Sequence, residues 1–147
     1  MRFDLFTSPD ALAMLADATP EAIDALEVGV IGFDAHGIGA VYNRRESAFS
    51  GLLPGEVIGR PIFTEIAQCM NNYFVAQRFE DAAFTGQPLD ATLDYVLTWR
   101  MRPTAVQLRL LWAPPQALRW ILLRHAPAGL GGGPGSPLPG ARFCARP

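Results

Sequence analysis

Apolar and polar positions alternate most regularly in the last third of the chain. Leu93, Tyr95, Leu97, Trp99 and Met101 alternate with Thr92, Asp94, Thr98 and Arg100, broken on the polar side only by Val96. This is the period of a half-buried strand, and it sets Leu97, Trp99 and Met101 on one buried face. Val106, Leu108, Leu110 and Trp112 repeat the alternation after a turn at Arg102, Pro103 and Thr104. Pro114 and Pro115 then lead into a further strand over Leu118 to Leu123. Earlier, the runs Gly29 to Phe33 and Ile38 to Asn43 flank Asp34-Ala35-His36-Gly37, which predicts a hairpin with its turn made by Asp and Gly.

The helical signals lie around these strands. Ser8-Pro9-Asp10 and Thr19-Pro20-Glu21 read as two helix starts, the first before Ala11 to Leu15 and the second before Ile23 and Leu26. Between Asn43 and Asn72 the pattern is cut by Gly51, Pro54, Gly55, Gly59 and Pro61, which predicts short helical turns wrapped around something. Tyr73 to Thr85 is a better helix, with Phe74, Val75, Phe79, Ala82 and Ala83 on roughly one face and Gly86 and Pro88 as stops. This order of elements predicts an α+β domain: a five-stranded antiparallel sheet, helices largely on one face, and an N-terminal helical cap.

Composition refines the boundaries. The 147 residues suit one core, and 50% apolar against 18% charged is ample to build it. After His125 the chain becomes Gly- and Pro-rich, too poor in large apolar groups to offset ordering. The division expected is therefore a cap over residues 1–28, a core over 29–126 and a flexible tail over 127–147. A net charge of −2 gives no electrostatic case for nucleic acid or an anionic membrane. The start of the chain lacks the apolar run of a secretory signal, and two cysteines make no disulfide framework, so the expected compartment is the reducing cytoplasm.

Candidate chemistry is sparse. Cys69 sits in Thr64-Glu65-Ile66-Ala67-Gln68-Cys69-Met70-Asn71-Asn72, where an apolar segment gives way to turn-forming residues. By pattern alone it reads first as a small buried hydrophobe. A thiol enzyme needs a base or a resolving thiol, and the only histidines are His36 in the hairpin turn and His125 at the domain's end. No ligand spacing for a metal is present. Tyr42, Glu46 and Ser50 are four residues apart and would present oxygens on one side of a helix. Spacing alone favours a solvated face there, with Glu46 in exposed ion pairs with Arg44 and Arg45. Trp99 and Met101 are by the same pattern ordinary core residues.

A resemblance changes that reading. Tyr42-Asn43 with Glu46, Gly51, the run Val57-Ile58-Gly59, Phe63, Ala67 and Cys69, then Phe79, Gly86, Asp94-Tyr95 through Met101, Pro103-Thr104 and a last strand ending Arg124-His125 follow one another in a familiar order. Over residues 1–126 the chain resembles the photoactive yellow protein family, small blue-light sensors built on a PAS fold. The resemblance implies that Cys69 carries p-coumaric (4-hydroxycinnamic) acid as a thioester. Tyr42 and Glu46 would hydrogen-bond its phenolic oxygen, and Ser50 would support Tyr42 in place of the family's threonine. The Cys69 amide would hold the thioester carbonyl, and Leu52, Trp99 and Met101 would line the pocket.

The implied function is that of a non-catalytic blue-light photoreceptor, in which isomerisation and proton transfer from Glu46 drive a conformational change read by a downstream signalling protein. Four positions depart from the family pattern. Leu52 replaces an arginine, Gln68 a proline, Trp99 a tyrosine and Leu97 a phenylalanine, so colour and recovery rate are expected to differ. Two other readings stay open: a pigment-free PAS module that works by protein interaction, including weak homodimerisation through its N-terminal helices, and a domain holding an aromatic or apolar ligand non-covalently.

Overall fold

The computed structural model describes residues 5–97, 103–125 and the backbone of 142–143. Two short helices come first, α1 (Ala11–Asp17) and α2 (Pro20–Asp24). Thr19 caps α2, its hydroxyl accepting the Ala22 N–H at 3.2 Å, and Pro20 opens the first turn. Strands β1 (Gly29–Phe33) and β2 (Gly39–Tyr42) follow as the expected hairpin. Asp34 Oδ1 accepts the N–H groups of His36 and Ile38, which closes the turn without glycine-only geometry at its first position.

The interrupted middle folds into α3 (Arg44–Ser50), α4 (Pro54–Val57), a π turn over Ile62–Ile66 and a 3₁₀ turn over Gln68–Met70. Helix α3 starts at Asn43 and ends at Gly51, whose φ of 82° lies in the left-handed region. Next come α5 (Ala76–Thr85), β3 (Leu89–Leu97), β4 (Thr104–Trp112) and β5 (Arg119–His125). All contacts among β1 to β5 are antiparallel, in the order β2-β1-β5-β4-β3. A two-residue strand, β6 (Arg142–Phe143), adds in parallel to the outer edge of β3. No periodicity announces that pairing. The edge of β3 offers unpaired backbone groups, and a strand of any side-chain content can meet them.

The sheet is covered on both faces. Ile31, Phe33, Leu108, Leu110, Ile121 and Leu123 point to the face under α3 to α5, where Val57, Ile62, Met70, Val75 and Phe79 close the core. Val30, Leu111, Trp120 and Leu122 point the other way and pack under Leu5, Phe6, Ala11, Leu15 and Ile23 of the cap. Strand β1 is consequently buried at all five positions. Helices of the main group lie on one face as expected, and the cap lies on the opposite one. Trp99 and Met101, Cys144 and most of the Gly/Pro-rich tail fall outside the described residues. Among the described residues no helix is long and apolar enough to cross a membrane.

Candidate functional site

Asn43 builds one wall of the site. It is 1% exposed, and its Oδ1 accepts two N–H groups, from Glu46 at 3.0 Å and from Val30 at 2.9 Å. Its amide donates to the carbonyls of Ile23 at 3.0 Å and Val28 at 2.9 Å. One side chain thus caps α3, bonds β1 and ties both to the end of the cap. An N-cap asparagine is legible in sequence, but its long-range donors are not.

Capping at Asn43 turns the next residues of α3 inward. Glu46 is 4% exposed and Ser50 is buried with it, so the exposed ion pairs expected for Glu46 from spacing do not form. The reason is tertiary. Gly29 on β1 has no side chain, and a Cβ there would overlap Glu46 Oε1. The helix therefore lies close enough for its carboxyl group to rest on the strand backbone. Sequence reading gave Gly29 no role beyond starting a strand.

The Tyr42 hydroxyl, at the end of β2, donates to Ser50 Oγ at 2.7 Å, and Ser50 Oγ also accepts the Leu52 N–H at 3.1 Å. Ser50 does for Tyr42 what the resemblance asked. Among the described residues Glu46 Oε1 has no hydrogen-bond partner. Burial raises the Glu46 pKa to about 7, with the neighbouring Tyr42 hydroxyl pulling it partly back. Tyr42 is raised too, by burial first and then by the negative field of Glu46. Near neutral pH, then, this carboxyl group holds or releases its proton in response to small changes around it.

Cys69 approaches from the 3₁₀ turn and is half-buried. Burial pushes its thiol up to about 11, with Glu46 adding to the shift and the thiol's own backbone opposing it. Its carbonyl oxygen accepts from the Tyr95 hydroxyl at 2.7 Å and from Asn72 Nδ2 at 3.2 Å. Tyr95 is buried on β3 in alternation with Leu97, but no pattern in the chain links it to Cys69.

These groups enclose a cavity of about 250 Å³ lined by Tyr42, Glu46, Ser50, Leu52 and Cys69 together with Ile31, Phe49, Ile66, Ala67, Gln68, Met70 and Leu97. Five of the predicted site residues therefore meet in one place, while Trp99 and Met101 lie outside the described residues. Phe49, Ile31 and Met70 were not foreseen in the wall. A larger groove of about 490 Å³ lies between the cap and the outer sheet face, beside Leu15, Ile23, Val41 and Trp120. It is the weaker candidate: apart from the shared Tyr42, its one ionisable lining group, Asp24, is exposed. The smaller cavity combines apolar walls, a buried acid and a thiol, which is the composition of a site built for one ring-sized molecule.

Comparison with known proteins agrees with this geometry. No protein-family model matches the chain. It is 31% identical over 120 residues to the photoactive yellow protein of Rhodothalassium salexigens, covering 82% of this chain and 95% of that protein. It is likewise 31% identical over 107 residues to the photoactive yellow protein of Rhodobacter capsulatus, covering 73% and 86%. Among solved structures, the photoactive yellow protein domain of the sensor histidine kinase Ppr from Rhodospirillum centenum superimposes with a TM-score of 0.70 at 39% identity, covering 76% of this chain and 97% of that one. A PAS domain of an HTR-like protein from Haloarcula marismortui, 18% identical with a TM-score of 0.54 over 78% and 94% of the two chains, shares the fold alone. The five antiparallel strands with their helices are a PAS fold, and the chain belongs to the photoactive yellow protein family.

Proposed function

We propose that this protein is a blue-light sensor, not an enzyme, that holds p-coumaric acid as a thioester on Cys69. The observation that carries the reading is one cavity wall shared by a thiol and a buried carboxyl group with an unpartnered oxygen. A buried polar atom left without a partner costs about 1–3 kcal/mol, and a carboxyl group turned from the Gly29 backbone toward a phenolic oxygen in the cavity would recover that cost. The cavity is below the range of roughly 300–1,000 Å³ usual for drug-sized ligands, which suits a single ring on a short chain.

The protein's residues would each do one thing. Cys69 provides the attachment, and a thiol raised to about 11 is almost wholly protonated at pH 7. The acyl group must arrive activated, because the Cys69 thiolate has to displace a leaving group from the acyl carbon and a free carboxylate offers none. Glu46 in its protonated form, which burial favours, is a donor available to a phenolic oxygen, and Tyr42 becomes a second when its hydroxyl turns from Ser50 Oγ. Ile31, Phe49 and Leu97 supply apolar wall to the cavity. When bound, the conjugated phenol would supply visible absorption and a double bond that light isomerises.

Signalling would follow from the charge on Glu46. Loss of its proton places an anion in a site whose backbone is bonded through Asn43 to Ile23 and Val28. A buried carboxylate without a partner costs several kcal/mol, comparable with the stability of a small domain. The cap, held by few and short elements, is the part expected to loosen and present a surface to a signalling partner. A histidine-kinase setting is on record for a relative's domain, which fits a sensor that hands its signal to a protein.

The test is reconstitution with activated p-coumarate. The reading expects a visible band that light bleaches and darkness restores, absent from Cys69→Ser. A colourless wild type refutes it. Leu52, a hydrocarbon in the wall where the family has a cation, favours a second reading in which an aromatic or apolar ligand sits here non-covalently; ligand extractable from Cys69→Ser protein would support that instead.

A further inference from the structure

The Cys69 carbonyl oxygen is held by two donors, one from β3 and one three residues further along the chain. Tyr95, fully buried on β3, donates its hydroxyl to that oxygen at 2.7 Å. Asn72 Nδ2 lies 3.2 Å from the same oxygen and 2.7 Å from the Tyr95 hydroxyl oxygen, so the three groups form a closed triangle. The other end of the Asn72 amide is occupied as well. Its Oδ1 accepts the N–H groups of Phe74 at 2.9 Å and Val75 at 3.2 Å, just before α5. A single peptide plane, the one after Cys69, is thereby fixed to β3 and to the start of α5.

Holding that plane within the 3₁₀ turn restricts ψ at Cys69 and so narrows the directions in which its side chain leaves the backbone. We propose that Tyr95 and Asn72 are positioning residues for the Cys69 attachment: they aim its sulfur into the cavity and set how fast a tethered group returns after light. The proposal deepens the photoreceptor reading and rests on it for the second half alone. A carbonyl with both lone pairs engaged leaves the tether few torsions, which shortens the search for the original geometry. Removing one donor widens that search and lets the thiol swing toward solvent.

Two variants separate this role from simple stability. Tyr95→Phe keeps the ring and deletes the hydroxyl. Asn72→Ser keeps an oxygen able to cap α5 and deletes the amide donors. In a Cys144→Ser background without pigment, alkylation of Cys69 by iodoacetamide should be about fivefold faster in each variant, the rate equivalent of one hydrogen bond. In reconstituted protein, dark recovery should be slower by about the same factor. Melting temperature is measured alongside. Alkylation and recovery at wild-type rates in either folded variant, whatever the melting temperature does, overturn the proposal. If the wild type takes up no acyl group, the photoreceptor reading fails, and the alkylation rates still decide whether the clamp exists.

Discussion

Arg109 on one face of the sheet and Glu46 on the other are both buried, and the two faces treat them in opposite ways. On the cap face, Arg109 is 4% exposed and fully engaged: Nε and one terminal nitrogen meet the two oxygens of Asp90 at 2.9 Å each, and the other terminal nitrogen donates to the Leu5 carbonyl at 2.7 Å. On the cavity face, Glu46 is 4% exposed and one of its oxygens has no partner among the described residues. The arginine's bidentate, charge-assisted geometry fixes the cap to β3 and β4. The glutamate's incomplete geometry leaves it poised between protonation states. Structure is made by satisfying buried charge, and a sensor needs one place where that is left undone.

The contrast predicts a pH dependence specific to one face. Glu46 has a folded-state pKa raised from 4.5 to about 7, so below pH 4.5 both folded and unfolded chains carry its proton and its contribution is fully present. Between those values the unfolded chain has lost the proton while the folded one keeps it, and stability falls as pH rises, by about 3 kcal/mol in all at 1.36 kcal/mol per unit. Urea denaturation of pigment-free protein should show this loss between about pH 4.5 and 7, and Glu46→Gln should abolish it. A pH-independent wild type would place Glu46 outside the account.

On the cap face the expected effect is somewhat smaller and asymmetric. Asp90→Ala leaves the buried guanidinium without its anion and should cost about 2–3 kcal/mol, below the usual figure for a buried pair because the Asp90 side chain is 54% exposed. Arg109→Met leaves only an exposed carboxylate and should cost less, about 1–2 kcal/mol, with faster amide exchange concentrated in α1. Equal losses from the two variants would mean that burial of the arginine is not the deciding feature.

Gly29→Ala sharpens the comparison from the backbone side. Its new Cβ meets Glu46 Oε1, so the helix or the carboxyl group must move, at a cost of about 1–3 kcal/mol as for other overpacked sites. Glu46→Ala in the same chain should recover most of that loss in a thermal melt. The smallest effect expected is that of Ser50→Ala, about 1 kcal/mol, since it removes the acceptor of the Tyr42 hydroxyl and of the Leu52 N–H.

These residues also mark where reading the sequence succeeds. The strands were legible because alternation at Leu93 to Leu97 and Val106 to Trp112 reflects one dominant constraint, a face turned to a core. Helix ends at Gly51 and Gly86 were legible because left-handed backbone favours few residue types, whereas Asn43, expected to end the hairpin strand, caps α3 as well. The orientation of α3 was not. Spacing puts Tyr42, Glu46 and Ser50 on one side, but whether that side meets water or β1 depends on Gly29, well back in the chain. The pairing of β6 with β3 and the Tyr95 bond to Cys69 are contacts of the same kind, set by the fold and silent in local pattern.

The central claim is that Cys69, and not merely some thiol of this protein, carries the pigment against Glu46. Peptide-level mass spectrometry of the chain after incubation with activated p-coumarate, read beside its visible spectrum, tests this most directly. The account predicts the acyl group on the peptide containing Cys69 and a visible band that follows its occupancy. An unmodified Cys69, or acylation confined to Cys144 with no visible band, would contradict it.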